Sequence, residues 1–353
     1  MDNWEKIIRI IEDLSKSSRK TSILIVTHRR ADIDAYVSAY LLHKILKLKV
    51  PSVELNIYIP EGISTRVNKI SKLLPIDYVE NTRDVSRSYD ISFYLDIGGV
   101  AVIPDIEYLL SISDTNILID HHSKNYDFIK KFNIAYVNDT LVSSTVEIIL
   151  ELGNAILKDF YNTFSNAEIL SILSTILVES RFLHLAKPES FLRIYHLLRR
   201  GGSISEALNL SRIDMDRSEK IALLKGMSRI EAYEANSYLI VLSELGAYHA
   251  SLASKLASLG VDLAIVYGEY DDDYKVTVRL SNRLMEELHI EAPKDILASI
   301  KDELKGNIGG HRGAAVLIVK GNNIKNLEVL RNRILNKVLR IFTEKGLSYR
   351  RII

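Results

Sequence analysis

Short, almost wholly apolar runs alternate with amphipathic stretches through the first half of the chain. SILIVT (22–27), VELNIYI (53–59), ISFYLD (91–96) and NILID (116–120) have the pattern of strands buried on both faces. Between them the apolar positions recur at helical spacing, as in residues 34–48, where Leu41, Leu42, Ile45 and Leu46 fall on one side. The chain opens on another such helix, with Trp4, Ile7, Ile8, Ile11 and Leu14 on one face and charges that break up any signal-peptide core. Strand–helix alternation predicts an α/β fold: a parallel sheet with helices on both faces. From about 143 to 234 the pattern turns almost wholly helical, broken at Gly153, Pro188 and Gly201–Gly202.

A second, smaller α/β unit follows. SYLIVLS (237–243), VDLAIVYG (261–268), YKVTVRL (274–280) and AAVLIVK (314–320) predict strands. One intervening helix is expected to start at Pro293, a favoured first position, and a long amphipathic helix runs from Asn323 to about Lys345. The expected division is a first domain over 1–200 with its N-terminal helix, a helical linker over 201–236 and a second domain over 237–353.

Composition narrows the chemistry. At 353 residues the chain suits two cores, and no apolar run approaches the ~20 residues that span a bilayer. A soluble cytoplasmic protein without membrane contact is expected. Cysteine is absent, so thiolate metal sites, disulfides and cysteine nucleophiles are excluded. Any metal would be held by His and carboxylates, which suits Mn²⁺ or Mg²⁺. The net charge of +1 does not announce a nucleic-acid partner, so phosphate binding would have to be local.

The polar clusters sit where the strands end. In an open parallel sheet those carboxyl ends share one edge, where ligands bind. SILIVT runs into His28, Asp32 and Asp34; FYL runs into Asp96; ILI runs into Asp120, His121 and His122. Asp32 and Asp34, one residue apart, can face two neighbouring ions, although either could simply cap the helix that follows. Asp96, followed by Ile97-Gly98-Gly99, reads as a bridging ligand or as a turn former. Consecutive histidines after a buried strand cannot both point inward. One could bind metal while the other meets substrate, with Asp120 orienting a ring.

These residues resemble the DHH phosphoesterase superfamily, whose name is the Asp-His-His triplet. Its first motif is matched by His28, Asp32, Asp34 and Ala35, its second by Asp96, and its third by Asp120-His121-His122. SSTVEIILEL (143–152) is similar to the family's Ser-Ser-Thr-x-Glu helix start, where Ser143 or Ser144 would also cap. The family's fourth motif supplies an Asp at the end of a helix such as SILSTILVES (171–180); here the position holds Glu179. The second unit resembles the DHHA1 domain, with Gly309-Gly310-His311-Arg312-Gly313-Ala314-Ala315 matching its glycine–histidine signature and Arg279 its upstream arginine.

The resemblance implies two-metal hydrolysis. His28, Asp32 and Asp96 would hold one Mn²⁺, and Asp34, Asp96, His121 and Glu179 the other, Mg²⁺ being the substitute. His122, steadied by Asp120, would hold the scissile phosphate, while Arg279, Gly309, Gly310, His311 and Arg312 would bind the far end of the substrate. The implied substrate is a short single-stranded RNA or DNA, or a nucleotide. Family II pyrophosphatases and exopolyphosphatases are disfavoured by the second domain, and the chain leaves no room for the oligonucleotide-binding domain of large RecJ proteins. The remaining alternatives are a 3′-phosphoadenosine 5′-phosphate phosphatase, a cyclic dinucleotide phosphodiesterase, and a non-catalytic Cdc45-like scaffold for replication or repair proteins. A homodimer is compatible with the sequence.

Overall fold

The computed structural model describes residues 2–85, 88–99, 102–123, 125–212 and 215–353 and divides into two compact units, Met1–Ile213 and Asp214–Ile353. The first unit is built on a parallel sheet of β1 (Ser22–Thr27), β2 (Glu54–Tyr58), β3 (Tyr89–Leu95), β4 (Ser113–Asp120) and β5 (Ile134–Val137), in the order β2-β1-β3-β4-β5. Its helices are α1 (Asn3–Lys16), α2 (Ile33–Lys49), α3 (Asn68–Leu73), α4 (Ile106–Ser111), α5 (Tyr126–Ile129), α6 (Thr145–Ile156), α7 (Asn166–Glu179), α8 (Pro188–Leu198) and α9 (Ile204–Ser211).

The unbroken apolar strands have the expected cause. Ile23 and Ile25 of β1, Phe93 and Leu95 of β3, and Ile117 and Ile119 of β4 pack into one core with α1, α2, α6 and α7. The alternate residues Leu24, Val26, Tyr94 and Leu118 pack into a second core on the other face, with Leu109, Phe128 and Phe132. Polar side chains are thereby driven off the strand bodies and onto their ends. The strand order also matters. From β1 the chain goes to β2 on one side and then to β3 on the other, so the order reverses between β1 and β3, the crevice in which α/β sheets take ligands.

The second unit holds a seven-stranded sheet, β10-β11-β9-β8-β7-β6-β12, antiparallel except for the β7–β8 pair. Its strands are β6 (Ile230–Ala235), β7 (Tyr238–Glu244), β8 (Leu263–Tyr270), β9 (Asp273–Leu280), β10 (Asn307–His311), β11 (Ala314–Lys320) and β12 (Tyr349–Arg351). Its helices are α10 (Arg217–Ser228), α11 (His249–Ser258), α12 (Asn282–Glu287), α13 (Ala298–Leu304) and α14 (Leu327–Glu344). Residues 292–297 form a turn of π-helix from the Pro293 start into α13.

Several local expectations fail for physical reasons. The helical reading to 234 misses β6, whose IEAYEA spaces its two glutamates three apart as a helix would, yet pairs with β7 in a tight hairpin around Asn236, at φ 51°. Within the expected linker span, α9 packs in the first unit and α10 in the second. Gly153 does not break α6. A Cβ there would stand 2.2 Å from the ring of the fully buried Phe160, so the glycine makes room for that ring. Pro188 opens α8 at its first position instead of ending a helix.

Gly153→Ala therefore should destabilise the first unit by about 1–3 kcal/mol through overpacking, despite the better helix propensity of alanine. Pairing it with Phe160→Leu should recover part of the loss. Urea unfolding of the two variants against the parent checks both signs.

Candidate metal centre

Three strand ends and one helix start converge in the first unit. His28 follows β1, Asp32 and Asp34 begin α2, Asp96 follows β3, and His121 and His122 follow Asp120 at the end of β4. His28 Nε2 lies 3.6 Å from Asp32 Oδ1 and 3.8 Å from Asp96 Oδ2. His121 Nε2 lies 3.6 Å from Asp34 Oδ2 and 3.4 Å from Asp96 Oδ1, and His122 Nδ1 is 3.6 Å from the same Asp96 oxygen. Donor atoms of His28, Asp32 and Asp96 gather within 4.8 Å of one another, as do those of Asp96, His121 and His122. Asp96 belongs to both groups.

The hydrogen bonds fix which ring nitrogen is free. His28 Nδ1 is 2.9 Å from the carbonyl of Arg29, which can only accept, so Nδ1 carries the proton and a neutral ring turns its Nε2 lone pair to Asp32 and Asp96. His122 Nδ1 donates to Asp120 Oδ1 at 2.8 Å, leaving Nε2 for a partner on the half-exposed side of the ring. Asp120 Oδ1 also accepts the backbone N–H of His121 and His122, so one carboxylate holds the whole His-His turn. Gly98 is shaped by that ring, since a Cβ there would lie 3.3 Å from His122 Cγ and Cδ2.

Asp32 caps α2 after all, accepting from Asp34 N–H at 3.0 Å and Ala35 N–H at 3.1 Å. Both bonds fall on Oδ1, so capping and facing His28 are performed by one carboxylate and the two readings are not rivals. Ser143 and Ser144 do not cap α6 by side chain. The free N–H groups of Thr145 and Val146 donate instead to the two oxygens of Asp34, at 2.6 and 2.8 Å. Glu147 Oε2 accepts the Ser143 N–H and both serine hydroxyls, folding the Ser-Ser-Thr turn onto its own helix. Thr145 Oγ1 donates to Asp96 Oδ1 at 3.0 Å, a contact with the shared carboxylate that sequence reasoning did not assign. The signal was present, because Thr145 is the middle of the Ser-Ser-Thr-x-Glu run. Asp96 itself takes φ 59°, a left-handed conformation costly for a non-glycine residue outside a constrained site.

Electrostatics describe a basin that lacks positive charge. Asp34 is fully buried and Asp96 is 2% exposed. Burial, then the charges of Glu179 and Asp32 on Asp34, and of Asp34, Asp32 and Asp120 on Asp96, push both carboxyls well above their usual range. Glu179, the last residue of α7, is raised to about 7 by burial and by Asp32, against the pull of His122, Arg66 and His28. Burial lowers His121 to about 4, so its ring is neutral and its nitrogen is available as a ligand. For His28, burial is the largest influence and lowers the pKa, but the bond to Asp32, the charges of Asp32 and Asp120 and the Arg29 carbonyl together raise it. For His122, the bond to Asp120 exceeds burial and the pKa also rises. Carboxylates crowded in low dielectric against neutral imidazole nitrogens form a donor set that fits divalent cations of the Mn²⁺ or Mg²⁺ type.

The model of the DHH family, N-terminal domain, matches residues 22–176. The first unit belongs to the DHH family of phosphoesterases. Over 351 residues it is 25% identical to an uncharacterized protein of Methanocaldococcus jannaschii, covering 94% of this chain and 98% of that one. Among solved structures, an exopolyphosphatase-related protein from Bacteroides fragilis superposes with a TM-score of 0.63 at 16% identity, covering 96% of each chain. A structure of exonuclease RecJ bound to manganese superposes with a TM-score of 0.47 at 14% identity, covering 97% of this chain and 95% of that one. The B. fragilis likeness shows the fold and spans both units of this DHH protein, so the second unit does not by itself separate it from a protein so described.

In the second unit the glycine–histidine segment is strand β10, not a loop. Gly310 has φ 132°, and a Cβ on it would strike Ala314 O at 2.3 Å and Ala315 Cα at 2.6 Å, so its smallness serves the neighbouring strand. Gly309 meets nothing within 4 Å on that side. His311 pairs with Ala314, which pairs with Arg279, so the three residues form one row across β10, β11 and β9. Residues in such a row share a face, and two strand spacings put His311 and Arg279 about 10 Å apart over a small alanine. Arg312 is engaged within its own unit, donating to Met285 O at 2.8 Å and lying 3.8 Å from Glu291. In the first unit, Arg29 and Arg30 of the first motif pair with Glu61. His184 is exposed in the turn after α7 and joins neither donor group.

The raised carboxyls set a pH dependence. A folded-state pKa above the unfolded one adds stability that is complete below the unfolded value and lost as pH rises through the folded value. Metal-free protein should therefore lose stability between about pH 4.5 and 7 through Glu179, with Asp34 and Asp96 acting in the same direction. Added Mn²⁺ should raise Tm more at pH 7.5 than at pH 5.5, because ligation requires the deprotonated carboxylates. Glu179→Gln should flatten the metal-free decline, and calorimetric melts at both pH values read it.

Proposed function

We propose that this DHH protein is a two-metal phosphodiesterase that releases mononucleotides from short single-stranded RNA or DNA. The observation that carries the reading is the sharing of Asp96 between two donor groups, one completed by His28 and Asp32, the other by His121. Asp34 and Glu179 complete the second set. Two divalent cations bound there would supply Lewis acidity to the phosphoryl group and acidify a water for attack.

The remaining work falls to the chain's own groups. His122, held through Nδ1 by Asp120, turns Nε2 to the open side, and its raised pKa favours the cationic ring that can donate there to a phosphate oxygen. Thr145 donates to the same Asp96 oxygen that His121 and His122 face, and α6 locks Asp34 through two N–H groups. These fixed partners keep the ligand oxygens in place before substrate arrives, so little reorganisation remains for the reaction. The row of Arg279 and His311 supports a second phosphate contact on the substrate-binding unit.

A manganese-dependent panel of trinucleotide, long single-stranded DNA, cyclic dinucleotide, 3′-phosphoadenosine 5′-phosphate and pyrophosphate tests the reading. Trinucleotide should be cleaved fastest, and Asp96→Ala should lower its turnover at least about a thousandfold with an unchanged circular dichroism spectrum. Pyrophosphate hydrolysis without cleavage of any phosphodiester would sink the proposal. Failure of calorimetry to detect manganese binding at neutral pH would favour the non-catalytic scaffold.

A further inference from the structure

A groove of about 830 Å³ opens in the first unit beside the end of α7, lined by Arg66, Val178, Arg181, Phe182, Leu208 and Arg212. It adjoins the metal centre, since Val178 precedes Glu179 and Arg66 pulls the Glu179 carboxyl downward. Among the described residues none of its three guanidinium groups has a carboxylate at ion-pair distance, whereas Arg29 and Arg30 of the first motif are paired with Glu61. Three arginines converging on one depression repel each other unless an anion joins them. Beside them Phe182 leaves 64% of its surface in solvent, while Val178 and Leu208 give the groove an apolar floor.

The backbone that presents these side chains is constrained. Arg181, Phe182 and Leu183 take φ of 50°, 54° and 73°, three successive non-glycine residues in the left-handed region. Each such residue costs of order 1 kcal/mol or more. The turn is held from beneath by Phe182 N–H to Leu177 O at 2.7 Å, Leu183 N–H to the buried Ser180 hydroxyl at 3.2 Å, and Leu185 N–H to Ser180 O at 2.8 Å. A right-handed continuation of α7 would avoid the strain but would carry Arg181 and Phe182 elsewhere around the helix.

We infer that this groove is a binding site for single-stranded nucleic acid next to the metal centre, with Arg66, Arg181 and Arg212 on backbone phosphates and Phe182 stacked on a base. Planar guanidinium groups suit phosphate, and an exposed aromatic ring beside them suits a base without regard to its identity. The inference rests on the phosphodiesterase reading for the identity of the anion, and it makes sequence-tolerant recognition of the strand a property of the first unit.

Its test is binding of a fluorescein-labelled hexathymidylate to the full chain in EDTA, where nothing is hydrolysed, followed by anisotropy across a salt series. The parent chain should bind. Arg181→Ala with Arg212→Ala should weaken binding at least tenfold and reduce the slope of log K against log salt by about 1.4, roughly 0.7 for each lost phosphate contact. Phe182→Ala should weaken binding about tenfold with the slope unchanged. Lysine at both arginine positions should keep most of the slope, which separates loss of charge from loss of fold. Parent-like affinity and slope in the double alanine variant would overturn the inference, as would a parent chain that does not bind the hexamer. A parent that binds through these arginines yet leaves the hexamer uncut with Mn²⁺ would sink the enzymatic reading and leave the groove standing.

Discussion

The first unit is organised around one buried carboxylate. Asp96 stands at the crossing of two donor groups, nearly without solvent, with Asp32, Asp34, Asp120 and Glu179 all raising the cost of its negative charge. Coulomb repulsion among several carboxylates in low dielectric is large compared with the net stability of a domain. A metal-free chain meets that repulsion by protonation, and a metal-loaded chain meets it by coordination. Protons and cations therefore compete for one place in the fold, which makes the site's affinity, its stability and its pH response one property.

The surrounding architecture tolerates this concentration because Asp32, Asp34 and Asp120 are each tied to backbone N–H groups at a helix start or turn. The N-terminus of α6 leaves N–H groups that a serine cap would normally take; here Asp34 takes them from another part of the chain. That bond couples the first motif to the Ser-Ser-Thr-x-Glu run, more than a hundred residues later. Asp120 performs the same service for the His-His turn. The helix N-terminus favours the ionised form of Asp34 while burial opposes it, and burial prevails in the absence of a cation.

Much of this was legible in sequence, and for definite reasons. Strands buried on both faces can carry polar groups only at their ends, so His28, Asp96 and the Asp120-His121-His122 triplet marked the sheet edge before any coordinates existed. The topology then required those ends to meet. What the sequence did not disclose was the partner of each group. The capping of α6 by Asp34 depends on an approach in space that no local pattern encodes, and a threonine touching Asp96 looks like any other helix-start threonine. Gly153 read as a break and Gly310 only as a substrate contact because the presence of a glycine says nothing about which neighbour needs the space. The short edge strands β5, β10 and β12 gave too few residues to show a period, and β6 was hidden by following a helix directly.

Glu179 shows how a departure from the family pattern can be absorbed. Its carboxylate hangs from the final residue of α7, immediately before a turn wound in the left-handed sense. Glutamate reaches about one bond length farther than aspartate, so a carboxylate at this helix end reaches toward the basin from one methylene farther back. The same carboxylate is then pushed toward its protonated form by Asp32 and burial, and toward its ionised form by Arg66, His28 and His122. With opposing fields of that kind, a single charge added on either side decides its state. An aspartate drawn closer to Asp34 and Asp96 would be dominated by their repulsion and less responsive to the arginine flank. The extra methylene leaves the Glu179 carboxyl answering to Asp32 on one side and to His122, Arg66 and His28 on the other.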